Sequence, residues 1–237
     1  MEHVGHQTLS QSDRRLILPA YHVNDAARYA GTTPATIVSW QREQGQAGPA
    51  LGVRDSGVAL SFLQLVELRF VAAMRDLGMK LKDIRAAREY LQSQFKTEFP
   101  FADIRLKSDG QSILVDLEET EGAEFRGKVL VANKWGQYAW KEIIGERFHE
   151  FQYGDRFARR WHVAGKSSPI LIDPLIAYGS PQIRGVPTWV VKNRHDGGES
   201  SDEIAKDFML TKRQVKAALN FEQSADKNKS KQTVWTH

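Results

Sequence analysis

Cysteine is absent from this chain of 237 residues, which excludes a disulfide framework, a thiolate metal site and a cysteine nucleophile. Long apolar runs are absent as well. None approaches the ~20 residues that span a bilayer, and the opening MEHVGHQTLSQSDRR has no signal-peptide core. A cytoplasmic protein is therefore expected. Catalytic signatures are missing too: there is no phosphate-cradling glycine loop, no HExxH and no GxSxG. His149-Glu150 and His195-Asp196 are adjacent pairs without companion histidines at ligand spacing, so both read as surface polar pairs. No catalytic residue, metal or cofactor is expected, and function is sought in binding.

What is present is a globular composition, 41% hydrophobic and 26% charged, which excludes wholesale disorder. Charge is spread unevenly. Residues 1–95, 96–165 and 166–237 carry +2, −1 and +3, so both ends are mildly basic around a neutral middle. Phosphate contacts are permitted at two places without being demanded.

The stretch Val23 to Gln44, VNDAARYAGTTPATIVSWQREQ, carries the clearest pattern. Ala26, Ala27, Ala30, Ile37 and Trp40 make two short apolar stripes at helical spacing, separated by Gly31-Thr32-Thr33. Gly31 suits the left-handed position that ends the first helix. Thr33 suits the N-cap of the second, and Pro34 its first turn. With Ile37 and Trp40 inward, Ala35, Thr36, Ser39 and Arg42 face out. Short polar side chains and one arginine suit the base edges of a major groove. The same residues also fit an ordinary helical hairpin with a solvated face.

After Gln44, Leu51-Gly52-Val53 and Val58-Ala59-Leu60 flank Arg54-Asp55-Ser56-Gly57, two strand-like pieces around a turn that read as a wing. Ser61 and Gln64 form a capping box for a helix to about Leu77, closed by Gly78, with Phe62, Leu65, Val66, Leu68, Val71, Ala72 and Leu77 as its apolar stripe. A further helix follows from Leu81 to about Phe95. This order, with GMKLKDIRAA, resembles the winged helix-turn-helix of MerR-like regulators over residues 20 to 95. The resemblance implies a DNA-binding head and places Thr33, Thr36, Ser39, Arg42 and Arg54 at the contact positions. Such regulators usually dimerise through a long coiled coil, and no sustained heptad follows here.

The first residues read as a loose arm, with Arg14 and Arg15 able to track a phosphate backbone. From Pro100 the pattern alternates. Phe101, Ile104 and Leu106 before Asp109-Gly110, and Ile113, Val115 and Leu117 after it, predict a hairpin. The acidic run DLEETEGAE reads as a solvated loop, and Lys128 to Val131 as a third strand. Phe151 and Tyr153 before Gly154-Asp155, with Phe157 and Trp161 after it, predict a second hairpin. Its aromatics read as core and Arg156, Arg159 and Arg160 as solvated, against the alternative of stacking on bases.

Beyond the linker Gly165 to Pro169, Ser201 is expected to cap a helix with Ile204, Ala205 and Phe208 inward. Thr211 is expected to cap another with Val215, Ala218, Leu219 and Phe221 inward and Lys212, Arg213, Gln214 and Lys216 outside. Asp173-Pro174, Gly179, Pro181, Ile183, Gly185, Glu203-Ile204 and Leu210-Thr211 together resemble a small helix-turn-helix family encoded beside PIN-like nuclease toxins. The chain departs from that pattern at Gly185-Val186-Pro187, where the family commonly has Gly-Thr-Arg, and at Phe208-Met209, where Tyr-Pro is frequent.

The expected fold class is α+β: a flexible arm over 1–19, a MerR-like winged helix-turn-helix over 20–97, a small antiparallel β-rich middle domain over 98–165, a C-terminal helix-turn-helix over 166–222 and a flexible tail over 223–237. The two resemblances imply a VapB-type antitoxin that inhibits a PIN-like ribonuclease toxin and binds operator DNA to repress its own promoter. DNA contacts are expected from Thr33, Thr36, Ser39, Arg42, Arg54, Lys212, Arg213 and Lys216. PIN-type nucleases hold magnesium with clustered acids, so cationic toxin contacts are expected from Arg159, Arg160, Lys227, Lys229 and Lys231, with Trp235 as an apolar anchor. A homodimer, or a hetero-oligomer with the toxin, is expected. The other reading is a stand-alone MerR-like regulator that senses a small effector through its middle domain.

Overall fold

The computed structural model describes residues 11–43, 48–52, 59–108 and 148–233. The wing turn at Arg54, the hairpin turn at Asp109-Gly110, the acidic run, the third strand and Trp235 lie outside these residues. The fold is α+β, with helices dominant and strands in short antiparallel pairs.

The first unit begins with α1 (Gln11–Ile17), β1 (Tyr21–His22), α2 (Val23–Ala30) and α3 (Pro34–Trp40). It continues with β2 (Ala59–Leu60), α4 (Phe62–Asp76) and α5 (Leu81–Phe95). The Ser61–Gln64 capping box starts α4 as its residues dictate, and Gly78 follows at φ 83. Leu77 is exposed, so it leaves the stripe assigned to it and acts as the cap of α4. The second wing strand pairs with β1, Tyr21 opposite Leu60.

Within the segment expected to be a flexible arm, Gln11–Ile17 forms α1. Leu16 is fully buried in the core and Asp13 pairs with Arg159 at 2.6 Å, so tertiary partners hold a segment with little local signal.

The described parts of the segment 98–165 share this core instead of standing apart. Phe101 enters it through a 3-10 turn (Pro100–Ala102), and α6 (Arg105–Ser108) follows where alternation predicted a strand. Asp103 decides this locally: its carboxylate accepts the Arg105 amide at 3.0 Å, turning the chain before a strand can extend. The second hairpin forms as expected, β3 (Phe151–Tyr153) with β4 (Ala158–Trp161), with a register shift after Gln152. Phe70, Phe151 and Trp161 stack in a row with centroids 5.5 and 5.6 Å apart. Glu150, expected at the surface beside His149, is buried. It accepts both Arg69 nitrogens at 3.1 Å and the Trp161 indole at 3.3 Å.

Pairing then passes into the C-terminal unit. Trp161 and Ile172 exchange backbone bonds of 3.0 and 2.8 Å, and Leu171 pairs with Gln182. β5 (Gln182–Ile183) and β6 (Val186–Pro187) form a hairpin whose two turn residues, Arg184 and Gly185, both have positive φ. α7 (Thr188–Asp196), α8 (Ser201–Asp207) and α9 (Lys212–Thr233) enclose a second core around Ile170, Ile183, Val191, Ile204, Val215 and Ala218. The cap of α8 is Ser200, one residue before Ser201, because Glu203 closes a capping box with it. Met209 stands at φ 52, an angle a proline ring cannot reach, so this turn differs from one built on Tyr-Pro. The last helix does not stop at residue 222, where a flexible tail was expected to begin: α9 continues to Thr233.

Candidate nucleic-acid interface

Local chemistry builds the first helix-turn-helix. Gly31 takes φ 74 and ends α2, as only an unhindered residue does readily. The Thr33 hydroxyl accepts the Thr36 amide at 3.2 Å and lies 2.8 Å from the Thr36 hydroxyl, so both threonines are fixed by the cap. Ile37 and Trp40 are buried. Ala35, Ser39 and Arg42 are exposed and Thr36 is half-buried, so the expected polar flank is presented to solvent.

The end of α3 is tied to the root of the wing. The Trp40 carbonyl accepts the Ala50 and Leu51 amides at 2.9 and 3.2 Å, and Gln41 Nε2 donates to the Gly52 carbonyl at 2.9 Å. Arg85 Nη2 donates to the Arg42 carbonyl at 3.2 Å, fixing the backbone beneath the outward side chain. Behind the wing root lies a buried ion pair, Arg88 to Glu67 at 3.3 Å. A Cβ at Gly52 would come within 3.3 Å of Arg88 Nη2, so the root rests directly on the pair. Burial pushes the Glu67 carboxyl up to about 7, against the opposing pull of Arg88 and the Phe101 amide.

In the C-terminal unit, Thr211 and Gln214 cap α9 reciprocally at 2.9 and 3.2 Å. Lys212, Arg213 and Lys216 are exposed on its outer side, with Lys212 paired to Asp202 at 2.8 Å. Two of the expected toxin contacts, Arg159 and Arg160, lie among the described residues, on the β3–β4 hairpin. Arg159 pairs with Asp13, and Arg160 pairs with Asp173 at 2.6 Å. Both act within the chain: the β3–β4 hairpin aims them at carboxylates of neighbouring segments. Arg156 likewise binds the buried Asp103 at 2.9 Å. The side chains of Lys227, Lys229 and Lys231 lie outside the described residues, as does Arg54.

Sequence reasoning passed over one set of residues. Arg28 pairs with Glu222 at 3.2 Å, the Tyr29 and Phe221 rings stack at 6.4 Å, and the Arg28 guanidinium lies 4.8 Å from the Tyr29 centroid. The available signal was Glu222 itself, a carboxylate at the end of the apolar stripe Val215, Ala218, Leu219.

Residues 21–91 match the MerR helix-turn-helix regulatory protein family, and residues 170–221 match a protein family of unknown function, DUF433. The chain carries a MerR-family helix-turn-helix toward its N-terminus and a DUF433 domain toward its C-terminus. The MerR match supports a DNA-binding regulator. The crystal structure of Rv2018 from Mycobacterium tuberculosis is similar in fold, with a TM-score of 0.66 and 20% identity over 85% of this chain and 98% of that one. No curated protein matches the chain. Among the described residues no helix is long and apolar enough to cross a membrane.

Proposed function

We propose that this DNA-binding regulator is an antitoxin: it represses its own operator through the MerR-like head and holds a PIN-like ribonuclease through its C-terminal region. The observation that carries the DNA half is the flank of exposed Ala35 and Ser39 and half-buried Thr36 on a helix whose other side, Ile37 and Trp40, is sealed in the core, with Arg42 exposed just past the helix end. Arg42 is the base-reading residue and the threonine cap positions the helix. Arg42→Ala is expected to weaken binding to a selected duplex by about 1–3 kcal/mol. Fluorescence anisotropy at moderate salt reads it, and unchanged affinity would reject this helix as the reader.

The toxin half rests on the DUF433 match and on the lysines that follow Glu222 in the sequence, Lys227, Lys229 and Lys231. With Arg159 and Arg160 engaged inside the chain, Lys227, Lys229 and Lys231 of the tail sequence are the cations assigned to an acidic nuclease site. Removing residues 225–237 spares Glu222 and its partners, and so separates toxin contact from folding. The shortened chain is expected to lose co-purification with the nuclease encoded beside it while still binding operator DNA. Retained neutralisation would overturn the assignment. Binding without catalysis is part of the proposal.

A further inference from the structure

Three anchors tie the C-terminal unit to the MerR-like head. The first is at the tether, where Trp161 and Ile172 exchange backbone bonds and Arg160 grips Asp173. At the second, Tyr21 lies under Gly179 so closely that a Cβ there would sit 2.2 Å from the tyrosine oxygen. The third is remote from the tether and links the helix-turn-helix elements directly. Arg28 and Tyr29 end α2, just before the Gly31 turn into α3, while Phe221 and Glu222 belong to α9. Glu222 accepts from both Arg28 and the buried Thr188 hydroxyl, so it bridges α2, α7 and α9.

We infer that Arg28 and Glu222 are positioning residues that hold the two helix-turn-helix units at one fixed orientation, so that both engage a single duplex at one spacing. This rests on the DNA-binding reading above and adds the C-terminal unit as the second reader. Arg213 and Lys216 stand on the outer side of the same helix whose inner side carries Glu222. Arg213 lies two turns before Phe221, about 12 Å along the axis. The first two anchors hold the segment entering the C-terminal unit, and the third holds its last helix against α2. Burial works against the Arg28 charge, but Tyr29 and Glu222 outweigh it and hold the guanidinium charged. Two modules joined rigidly bind as one only when their sites match the fixed span, and the gain disappears when geometry forbids simultaneous engagement.

The test uses the full chain to select sites from a randomised duplex of roughly four helical turns, then inserts base pairs between the selected blocks. The wild type is expected to select two blocks and to lose roughly a hundredfold in affinity when about half a turn is inserted. Glu222→Gln keeps volume and an acceptor oxygen for Thr188, and its urea midpoint checks that it is folded. It and Arg28→Ala should flatten the spacing profile while leaving affinity for a one-block duplex unchanged. The double reversal Arg28→Glu with Glu222→Arg should restore the sharp optimum, which a merely structural role would not require. A one-block selection, a flat wild-type profile, or variants that keep the sharp optimum would each overturn the inference while DNA binding stands. Failure to enrich any duplex would overturn the DNA reading itself.

Discussion

The N-terminal helix-turn-helix turns through Gly31 at φ 74, whereas the C-terminal one turns through Met209 at φ 52, a strained angle for a side chain with a Cβ. The first unit rests on a large core that contains buried carboxylates, Glu67 paired with buried Arg88 and Asp103 paired with the partly exposed Arg105 and Arg156. The second has a small core, and its ion pairs Lys212–Asp202 and Lys192–Asp196 lie toward solvent. Similar motifs are thus held by different physics. Buried pairs are costly to break and screened much less by salt, while surface pairs are screened and worth little.

The largest break in this contrast is expected at Trp161. It is fully buried, stacks on Phe151 and donates to Glu150, and Trp161→Ala should cost about 3–5 kcal/mol in urea unfolding. A loss below about 1 kcal/mol would show that the hairpin is not part of the first core. Next comes pH. Burial holds the folded Glu67 carboxyl near 7 against an ordinary 4.5, so the folded chain keeps a proton that the unfolded chain releases. Stability from this group is full below about 4.5 and falls as pH rises to about 7. Glu67→Gln should flatten the urea midpoint across that window. An equal pH slope in wild type and variant would remove Glu67 as its source. The smallest change is expected at the exposed pair: Lys212→Ala should alter stability by less than about 0.5 kcal/mol. A larger loss would mean that the second unit is not held by its core.

Where the chain declares its own local chemistry, structure follows it. Gly31, Thr33, Pro34, the Ser61–Gln64 box and the apolar stripes give α2, α3, α4 and α5 close to their expected bounds. The hairpin around Gly154-Asp155 also forms, and its aromatics are core as read. Legibility fails where a partner lies far away in sequence. Alternation over Phe101, Ile104 and Leu106 suggested a strand, but Asp103 turned the chain and Arg156 locked it. Arg159 and Arg160 looked available because nothing near them in the chain is their partner.

The sequence by itself determined the two helix-turn-helix units, the caps at Gly31, Thr33 and Thr211 and the outward flank with Arg42, because turns and helices answer to residues three or four positions apart. Tertiary structure alone decided which cations remain free and how the two units are joined. Arg28 and Glu222 stand 194 residues apart, and no period in a sequence encodes a contact across that distance.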